Sequence, residues 1–486
     1  MRKLVIAVSL LGLSGCNLAP KYVQPTAPVA PAFPAEQGTG IAQAVSADEL
    51  SWRDYFADPQ LRALIEAALT RNRDLAQSVA RITQARARLR IQDSQRLPTI
   101  ERSASATRSR TPINAMGGGV AIPGVGTGGA TAIEMDQYAA NVGVSAFEID
   151  FWGRLRNLSE AERLRYLGTV EGARAARLTL IANVASTWFD ICAGEQRIEL
   201  AAQALKGRRQ GTEIARLRLD AGVTSTVDFD QTVQLETQAE SELAVVRLAT
   251  QQSRNLLDVL TGGPVAEQLP GALPFGPQQV RPIAAGLPSA LLTDRPDIVE
   301  AEYNLRAAHA DIGALRAQFF PTISLTGSYG FASPVLDNLF KGDSRSWSFG
   351  GALNLPIFDW GRRRGQVREA QARANEMVAA YQRTTQGAFQ EVADALVGRQ
   401  RYQEQIDAVR RTAAAQRRLV ETARLRYDNG ISIYLEVLDA ERNLFQTEQQ
   451  LLQLEASALQ NAVTLYTAFG GGKIDRAAAF DRDGRR

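Results

Sequence analysis

The chain consists of two copies of one pattern, and this internal repeat restricts its fold more than any other feature. The tripeptide Trp-Gly-Arg at 152–154 recurs at 360–362, which is 208 residues later. A second landmark, Gly222 after a run of leucine, arginine and aspartate, recurs at Gly430 with the same offset. Because no residue is inserted or deleted between these landmarks, the fold must contain two equivalent units within one chain.

Upstream of these landmarks the first copy is longer. Leu-Pro-Thr-Ile at 97–100 corresponds to Phe-Pro-Thr-Ile at 320–323, an offset of 223 residues. The glycine-rich stretch 117–129 accounts for the additional residues of the first copy. Such a low-complexity insertion predicts a flexible surface loop.

Long helices fill the downstream part of each copy. Positions that step alternately by three and four residues from 184 to 219, and again from 392 to 427, follow the 3.5-residue period of coiled coils. No proline interrupts 154–221, so one unbroken helix there would be about 100 Å long. Gly222 and Gly430 are predicted helix ends, since glycine accepts a left-handed backbone. A shorter helix then returns in each copy.

Segments of alternating apolar and polar residues separate the helices. In the second copy, apolar residues occupy every second position along much of 322–331 and again before Trp360, and 138–146 is similar in the first copy. This period of two is typical of strands in outer-membrane proteins, although half-buried strands of a soluble sheet have the same pattern. The mature chain has no apolar run long enough for a membrane-spanning helix, so any spanning part must be a closed barrel. Four strands cannot close a barrel, so several copies would have to build it together.

The N-terminus predicts secretion and lipid attachment. Arg2 and Lys3 precede an apolar run that is too short to span a bilayer, and Ser14, Gly15 and Cys16 follow it. This order resembles a bacterial lipobox, in which Cys16 becomes the acylated first residue after a signal peptide of residues 1–15. The alternative is a simple signal peptide with an incidental cysteine. Asn17, in place of the aspartate that holds lipoproteins in the inner membrane, favours sorting to the outer membrane.

Composition excludes several classes of function. The chain has one histidine, His309, and its only cysteine after Cys16 is Cys192, so a zinc cluster cannot be assembled. No phosphate-binding loop, nucleophile motif or other catalytic arrangement is present, and no cofactor or metal is predicted. A net charge of +3 over 486 residues gives no footprint for nucleic acid. We interpret His309 as a helix packing or surface residue, and Cys192 as a buried hydrophobic residue rather than a reactive thiol.

Together these motifs resemble the outer membrane factor family, the TolC-like and OprM-like channels of Gram-negative efflux systems, in its lipoprotein branch. The resemblance covers nearly the whole chain after Cys16. The segments that carry it are Cys-Asn-Leu-Ala-Pro at 16–20, Trp-Arg-Asp-Tyr-Phe at 52–56, Arg-Pro-Asp-Ile at 295–298, Ile-Gly at 312–313, Phe-Pro at 320–321, Tyr-Asp-Asn-Gly at 427–430, Tyr-Leu-Glu-Val-Leu-Asp-Ala at 434–440, and the triple glycine at 470–472.

The resemblance implies a mainly helical fold with a transmembrane β part. Three chains would supply four strands each to a twelve-stranded barrel, which a periplasmic helical barrel with a mixed α/β equatorial belt would continue. The predicted organisation is a signal peptide at 1–15, an acylated segment at 16–57, repeat 1 at 58–260, an equatorial linker at 261–293, repeat 2 at 294–472 and a tail at 473–486. The predicted strands are at about 98–110, 136–149, 321–333 and 345–358, and the predicted helices at about 59–96, 154–221, 226–260, 295–319, 361–429 and 434–469.

The resemblance also implies the functional residues and partners. Leu435 and Asp439 match the family's periplasmic gate, where three symmetry-related carboxylates would repel one another and attract cations. Their repeat partners, Val227 and Gln231, lack the carboxylate. The tips that would contact a periplasmic adaptor are Gly222, Val223, Thr224, Ser225, Gly430, Ile431 and Ser432, which otherwise form ordinary interhelical turns. An inner-membrane pump of the resistance-nodulation-division type would supply the energy.

The sequence therefore predicts an outer-membrane, lipid-anchored and membrane-spanning export duct for small toxic compounds, and not an enzyme. Two alternatives remain at this point. One is a type I secretion outlet with the same fold, and the other is a structural periplasmic coiled-coil lipoprotein. The second explains the helices and the lipid, but neither the amphipathic strands nor their order in the repeat.

Overall fold

A computed structural model of the protein describes residues 17–26, 28–29, 45–46, 50–112, 132–265, 276, 279–284 and 292–472. The signal peptide, Cys16 and the tail 473–486 lie outside these residues. The helices within them are α1 (Trp52–Tyr55), α2 (Pro59–Arg71), α3 (Arg73–Ser94), α4 (Arg154–Asp220), α5 (Thr226–Thr261), α6 (Pro296–Ala317), α7 (Arg362–Asp428) and α8 (Tyr434–Ala468). The strands are β1 (Val45–Ser46), β2 (Ile100–Pro112), β3 (Ala132–Ile149), β4 (Ile283–Ala284), β5 (Thr322–Ser333) and β6 (Arg345–Asn354).

The chain divides into two compact units, and each takes segments from both repeats. The sheet unit comprises the segments Ala85–Tyr166 and Asn304–Val378 together with the N-terminal residues up to Gln24. The helical unit comprises Pro25–Gln84, Leu167–Tyr303 and Ala379–Arg486.

Four strands of the sheet unit form one antiparallel sheet in the order β2-β3-β5-β6. Each repeat supplies one hairpin, and the second strand of the first repeat pairs with the first strand of the second. This arrangement confirms the prediction of a mainly helical chain with a four-stranded sheet, while the short strands β1 and β4 form a separate parallel pair. The two outer strands, β2 and β6, have no further partner strand within the part of the chain that the structure describes.

The two faces of this sheet differ in chemistry because side chains alternate along each strand. Tyr329 lies opposite Val142 on one side and Trp347 on the other, so these three share a face. Trp347 and Phe349 of that face are exposed over 75% and 72% of their surface. The opposite face carries small polar residues, including Ser328 and Ser348, whose hydroxyl oxygens are 2.8 Å apart.

A β-bulge interrupts the pairing of β3 with β5. The register shifts between Val144 and Phe147, and Ala146 has a φ of 50°. The hydroxyl of Thr326 accepts a hydrogen bond from the Ala146 backbone N–H at 3.3 Å. The bulge adds one residue to β3, so Val144 before it and Phe147 after it lie on the same face of the sheet although they are three positions apart.

The first helical segment differs from the single helix expected at 59–96, because Asn72 divides it into α2 and α3. The Asn72 backbone is extended, with a ψ of 133°. Its side-chain Oδ1 accepts a hydrogen bond from Leu75 N at 2.9 Å, and its Nδ2 donates to Leu260 O at 2.9 Å. Asn72 therefore starts α3 as a helix cap and also joins it to the end of α5.

The long helices α4 and α7 contain 67 residues each, and they are followed by return helices of 36 and 35 residues. No helix in the described ranges combines the length and the apolar character needed to cross a membrane.

The core of the helical unit is aromatic. Tyr55 and Tyr466 stack with ring centroids 4.7 Å apart, and Phe56 packs edge-on against both. The Tyr55 hydroxyl donates to Ala462 O at 2.7 Å. Trp188 is fully buried, and its indole N–H donates to Asp58 Oδ2 at 2.9 Å. The Tyr55 hydroxyl and the Trp188 indole N–H thus keep hydrogen-bond partners within this core, as buried polar groups require.

Candidate functional site

Two helical hairpins carry the residues that the sequence analysis assigned to the gate and the tips. The first hairpin is α4 with α5, and the second is α7 with α8. Both turns begin with a glycine in the left-handed region, Gly222 and Gly430, each with a φ of 72°. In both, the glycine N–H and the next N–H bond back to helix carbonyls at 2.9 Å, which is the Schellman arrangement of a helix end.

The first turn is closed by a capping box. Ser225 Oγ accepts a hydrogen bond from Asp228 N at 3.2 Å, and Asp228 Oδ2 accepts one from Ser225 N at 3.3 Å. The hydroxyls of Ser225 and Thr224 also donate to Asp228 Oδ2. These hydrogen bonds lower the pKa of the Asp228 carboxyl below its ordinary value, and the one from the Ser225 hydroxyl has the largest effect. The predicted tip residues Thr224 and Ser225 therefore cap the N-terminus of α5 with their hydrogen bonds to Asp228.

The second turn lacks this cap. Ile433 occupies the N-cap position of α8 and makes no side-chain hydrogen bond there. Glu436, at the position of Asp228, lies 3.6 Å from Arg426 Nε instead. Both turns expose apolar residues at their tips, with Val223 exposed over 71% and Ile431 over 69% of their surface. The two tips thus present similar apolar surfaces on differently stabilised turns.

The gate candidates lie on one face of α8. Leu435 is 40% exposed and Asp439 is half-exposed one turn later, whereas Val437 and Leu438 are buried against the rest of the helical unit. Asp439 Oδ1 forms an ion pair with Arg442 Nη2 at 2.9 Å. Arg442 is not among the gate residues predicted from the sequence, although a spacing of three residues on a helix predicts such a pair.

The two hairpins contact each other close to the turns. The Arg218 guanidinium lies over the Tyr427 ring, 5.3 Å from its centroid, and Tyr427 packs against Tyr434 with centroids 5.0 Å apart. Gly211 of α4 leaves room for the Tyr434 hydroxyl, which would lie only 2.6 Å from a Cβ atom at that position. The contacts of Arg218 with Tyr427 and of Gly211 with Tyr434 connect residues more than 200 positions apart, so local patterns could not reveal them.

A polar cavity of about 200 Å³ lies further from the turns, between α4, α5 and α8. Arg208, Glu242, Arg442 and Phe445 line it. Burial lowers the pKa of Arg208, and its Nη1 has no hydrogen-bond partner among the described residues. Arg442, the ion-pair partner of the gate candidate Asp439, is therefore also one of the residues that line this cavity.

The lipid-attachment candidate Cys16 is outside the described residues, but the segment that follows it lies along α6. Ala19 is so close to Gly313 that a Cβ atom there would approach its Cβ to 2.7 Å. Tyr22 packs edge-on against His309 at 5.8 Å, and the Arg306 guanidinium lies over the Tyr22 ring at 4.8 Å. His309 is thus a packing residue of this contact.

Cys192 is fully buried in the aromatic core. Burial, followed by the charge of Asp58, raises the pKa of its thiol far above the ordinary value. A thiol in this environment is not reactive at neutral pH, because the thiolate is the nucleophile.

The arginine of the Arg-Pro-Asp motif has a structural role. Arg295 is buried, and its Nε donates to Asp297 at 2.9 Å. Its two terminal nitrogens donate to Ala468 O at 3.1 Å and to Glu391 at 2.5 Å. One guanidinium therefore joins the start of α6 to α7 and to the end of α8.

Comparison with known proteins agrees with this architecture. The model of the family described as outer membrane efflux protein matches residues 64–263 and 287–471. The toluene efflux pump outer membrane protein TtgC of Pseudomonas putida is 37% identical over 473 residues, which cover 96% of this chain and 95% of that protein. The cation efflux system protein CusC of Escherichia coli is also 37% identical, over 464 residues that cover 95% of this chain and 97% of that protein.

A solved structure shares the whole fold. The crystal structure of a membrane protein from Pseudomonas aeruginosa has a TM-score of 0.85 and 36% identity, and the match covers 94% of this chain and 98% of that one. These matches confirm the predicted family, its location in the outer membrane with a periplasmic extension, and its role in transport rather than catalysis. The chain is an outer-membrane channel component of an efflux system, and it belongs to the outer membrane efflux protein family.

Proposed function

We propose that three copies of this chain form one passive duct through which small toxic compounds are exported across the outer membrane. The observation that carries this proposal is a four-stranded sheet with two open edges and one exposed aromatic face. β2 and β6, which are 13 and 10 residues long, form those edges, and about every second residue there directs its backbone N–H and C=O away from the sheet without a partner strand among the described residues. Unpaired edges are unfavourable in a lipid environment, and a closed barrel removes them.

The number of strands supports a trimer. About eight strands are the practical minimum for a closed barrel, so the four strands of one chain cannot close one and a pair of chains would make only a minimal one. Three copies supply twelve strands, with the aromatic face of Trp347 and Phe349 toward lipid and the small polar face of Ser328 and Ser348 toward the lumen. This orientation is the usual one for outer-membrane barrels.

The gate consists of Leu435 and Asp439 on α8. Both side chains are at least 40% exposed in the single chain and lie on the same face of α8. Around a threefold axis, three leucines would form an apolar ring and three aspartates an anionic ring one turn further along. Opening would require the α8 helices to separate, and the Asp439–Arg442 ion pair would hold each carboxylate in place until then.

A planar-bilayer experiment tests the duct and its gate together. The purified protein should give discrete conductance steps, and Asp439→Ala should raise the basal conductance because α8 loses the Asp439–Arg442 ion pair that holds the closed arrangement. Gln231→Ala, at the repeat position of Asp439, is the matched control and should leave the basal conductance unchanged. A closed state of Asp439→Ala that is indistinguishable from the unsubstituted protein would remove Asp439 from the gate.

The tips bind a periplasmic adaptor, and the adaptor connects the duct to an inner-membrane pump of the resistance-nodulation-division type. Val223 and Ile431 offer exposed apolar side chains on two turns of equal geometry, which suits a partner that contacts both repeats alike. Val223→Asp and Ile431→Asp should weaken adaptor binding in a pull-down assay without loss of conductance. Asp220→Asn, next to the first tip, is a control that adds no charge to the apolar surface.

Acyl chains on Cys16 anchor each copy to the outer membrane. The contact of Ala19 and Tyr22 with α6 supports this assignment, because it fixes the first mature residues to the sheet unit that carries the strands. Mass spectrometry of the mature N-terminus tests it, with Cys16→Ser as the variant that should lose the acyl chains.

A further inference from the structure

The first repeat ends its second strand in a tryptophan contact with the second repeat. Trp152 stacks on Phe320 with ring centroids 4.5 Å apart. Its indole N–H donates a hydrogen bond to Pro321 O at 2.9 Å. The contact lies where β3 and β5, the two central strands, are paired at Ile149 and Ile323.

The equivalent residues of the other two strands have no such contact. Trp360 is the repeat counterpart of Trp152, yet its side chain is 90% exposed, and the ring packs only against Phe358 among the described residues. Leu97 is the counterpart of Phe320 and is 68% exposed. Each outer edge of the sheet therefore carries one half of the contact, because a chain with two repeats can complete only the central one.

We propose that Trp360 of one copy packs on Leu97 of the neighbouring copy and donates its indole N–H to the carbonyl of Pro98 there. This inference rests on the trimer proposed above and names the residues that join its subunits. A second copy is the partner because the missing half of each contact is present on the same chain, at the opposite edge. The internal repeat thus identifies a second copy of this chain as the partner at each edge of the sheet.

The same correspondence fixes the register between β6 of one copy and β2 of the next. Transferring the Ile149–Ile323 pair by the two repeat offsets places Ile357 opposite Ile100. These two residues are exposed over 93% and 72% of their surface in the single chain. β6 pairs with β5 without the register shift that β3 shows between Val144 and Phe147, so uninterrupted antiparallel pairing from that point places Leu353 opposite Ala104.

This register is consistent with the chemistry of the faces. Leu353 lies opposite Ile323 on the aromatic face of the sheet, and Ala104 lies opposite Ala140 on the same face. A slip by one residue would put the aromatic residues of β6 next to the polar face of β2. The proposed register is therefore the one that continues both faces across the boundary between copies.

Disulfide formation in the full-length protein tests the register. Directly opposite residues of antiparallel strands have Cα atoms about 4.5–5.5 Å apart, which a disulfide can bridge. Leu353→Cys combined with Ala104→Cys should give covalent dimers and trimers on oxidation, whereas each single variant should not. Leu353→Cys with Arg108→Cys, four residues out of register, is the matched control.

The outcomes separate the two proposals. Covalent oligomers from the first pair and none from the control support the register. A trimeric mass without any cross-link from the first pair, or with preferential cross-linking of the control, overturns the register and leaves the trimer intact. A monomeric mass of the unsubstituted protein overturns the trimer itself.

Heat dissociation of the oligomer in detergent tests the tryptophan contact. Trp360→Ala should lower the temperature at which the trimer dissociates, and Trp360→Phe should lower it less, because the phenyl ring keeps the packing but not the hydrogen bond. Phe340→Ala is the control, since Phe340 is exposed over 74% of its surface in the loop between β5 and β6. Equal shifts for Trp360→Ala and Phe340→Ala would overturn the contact.

Discussion

Arg417 Nη2 lies 2.7 Å from Glu448 Oε1, and this ion pair joins the two helices of the second hairpin. Arg410 pairs with Glu455 at 2.6 Å, and Arg424 pairs with Glu441 at 2.5 Å. Along α7 each of these arginines is seven residues from Arg417, and along α8 each glutamate is seven residues from Glu448. Residues seven apart lie on the same side of a coiled-coil helix. The three pairs therefore form a ladder along one edge of the hairpin.

The first hairpin keeps one pair of this ladder. Arg209 and Glu240 are the counterparts of Arg417 and Glu448, and they are 2.5 Å apart. At the positions that correspond to the other two pairs, the first repeat lacks one or both partners; for example, it has Val233 where the second repeat has Glu441. The ladder of three pairs thus belongs to the hairpin that carries the gate candidates, whereas the first hairpin has a different pair, Arg254 with Glu195 at 2.8 Å, in addition to Arg209 with Glu240.

We expect Arg417 and Glu448 to be coupled weakly but measurably. A double-mutant cycle with Arg417→Gln and Glu448→Gln should give a coupling free energy of about 0.5 kcal/mol, because the Arg417 side chain is largely exposed. The coupling should decrease as salt concentration rises. Thermal unfolding measures it, and the same cycle with Arg418→Gln in place of Arg417→Gln should show no coupling.

The turns of both hairpins could be predicted from the sequence because their cause is local. Glycine at 222 and at 430 follows a long proline-free helical pattern, and the left-handed backbone needed at a helix end is available to glycine without steric cost. The strands could be predicted for the same reason, since the alternation that produces the exposed face of Trp347 is present in the chain itself.

Contacts between distant segments could not be predicted in this way. Asn72 divides the first helical segment through a hydrogen bond to Leu260, which no local pattern indicates. The opposite environments of Trp152 and Trp360 also depend on tertiary position, because their sequence neighbours, Gly and Arg, are the same. At the candidate gate, only the family resemblance distinguished Asp439 from an ordinary exposed helix residue.

Replacing Arg295 should destabilise the helical unit more than any surface arginine. Arg295→Ala leaves Glu391 and Asp297 without their shared partner and Ala468 O without its donor. We expect a loss of about 2 kcal/mol in the free energy of unfolding, because Ala468 O loses a hydrogen bond from a charged donor while the two carboxylates remain partly solvated. Arg295→Lys should recover only part of this loss, since one ammonium group cannot reproduce the planar fork of three contacts.

Chemical denaturation followed by circular dichroism measures these changes. Arg411→Ala, an exposed arginine on α7, is the control and should change stability by less than about 0.5 kcal/mol. If Arg295→Ala were as stable as this control, the contacts of the Arg295 guanidinium would contribute nothing to the stability of the fold.

Glu300 should make stability depend on pH. Burial raises the pKa of its carboxyl, and the charges of Asp297 and Glu171 raise it further. The folded protein therefore holds this proton at a higher pH than the unfolded chain does, so the charged carboxylate destabilises the fold above the raised pKa. This penalty should disappear as the pH falls through the raised pKa towards the ordinary value.

Melting temperatures across a pH series test the role of Glu300. Glu300→Gln should melt at a higher temperature than the unsubstituted protein at pH 8, and the two curves should converge under acidic conditions. Glu421→Gln, an exposed glutamate on α7, is the control and should give no such pH-dependent difference. A Glu300→Gln protein that melts lower at pH 8 would contradict the assigned direction.

Ile433→Ser should stabilise the start of α8. The substitution places a hydroxyl at the N-cap with Glu436 three residues later, which is the pattern of the capping box that Ser225 and Asp228 form in the first repeat. We expect a gain of about 1 kcal/mol, and little apolar contact is lost because Ile433 is 70% exposed. Amide hydrogen exchange at the first turn of α8 measures the gain directly, since a capped helix end opens less often. Ile431→Ser also exchanges an exposed isoleucine for serine, but outside the N-cap position, so it should leave exchange in α8 unchanged; equal protection in the two variants would show that the hydroxyl does not act as a cap.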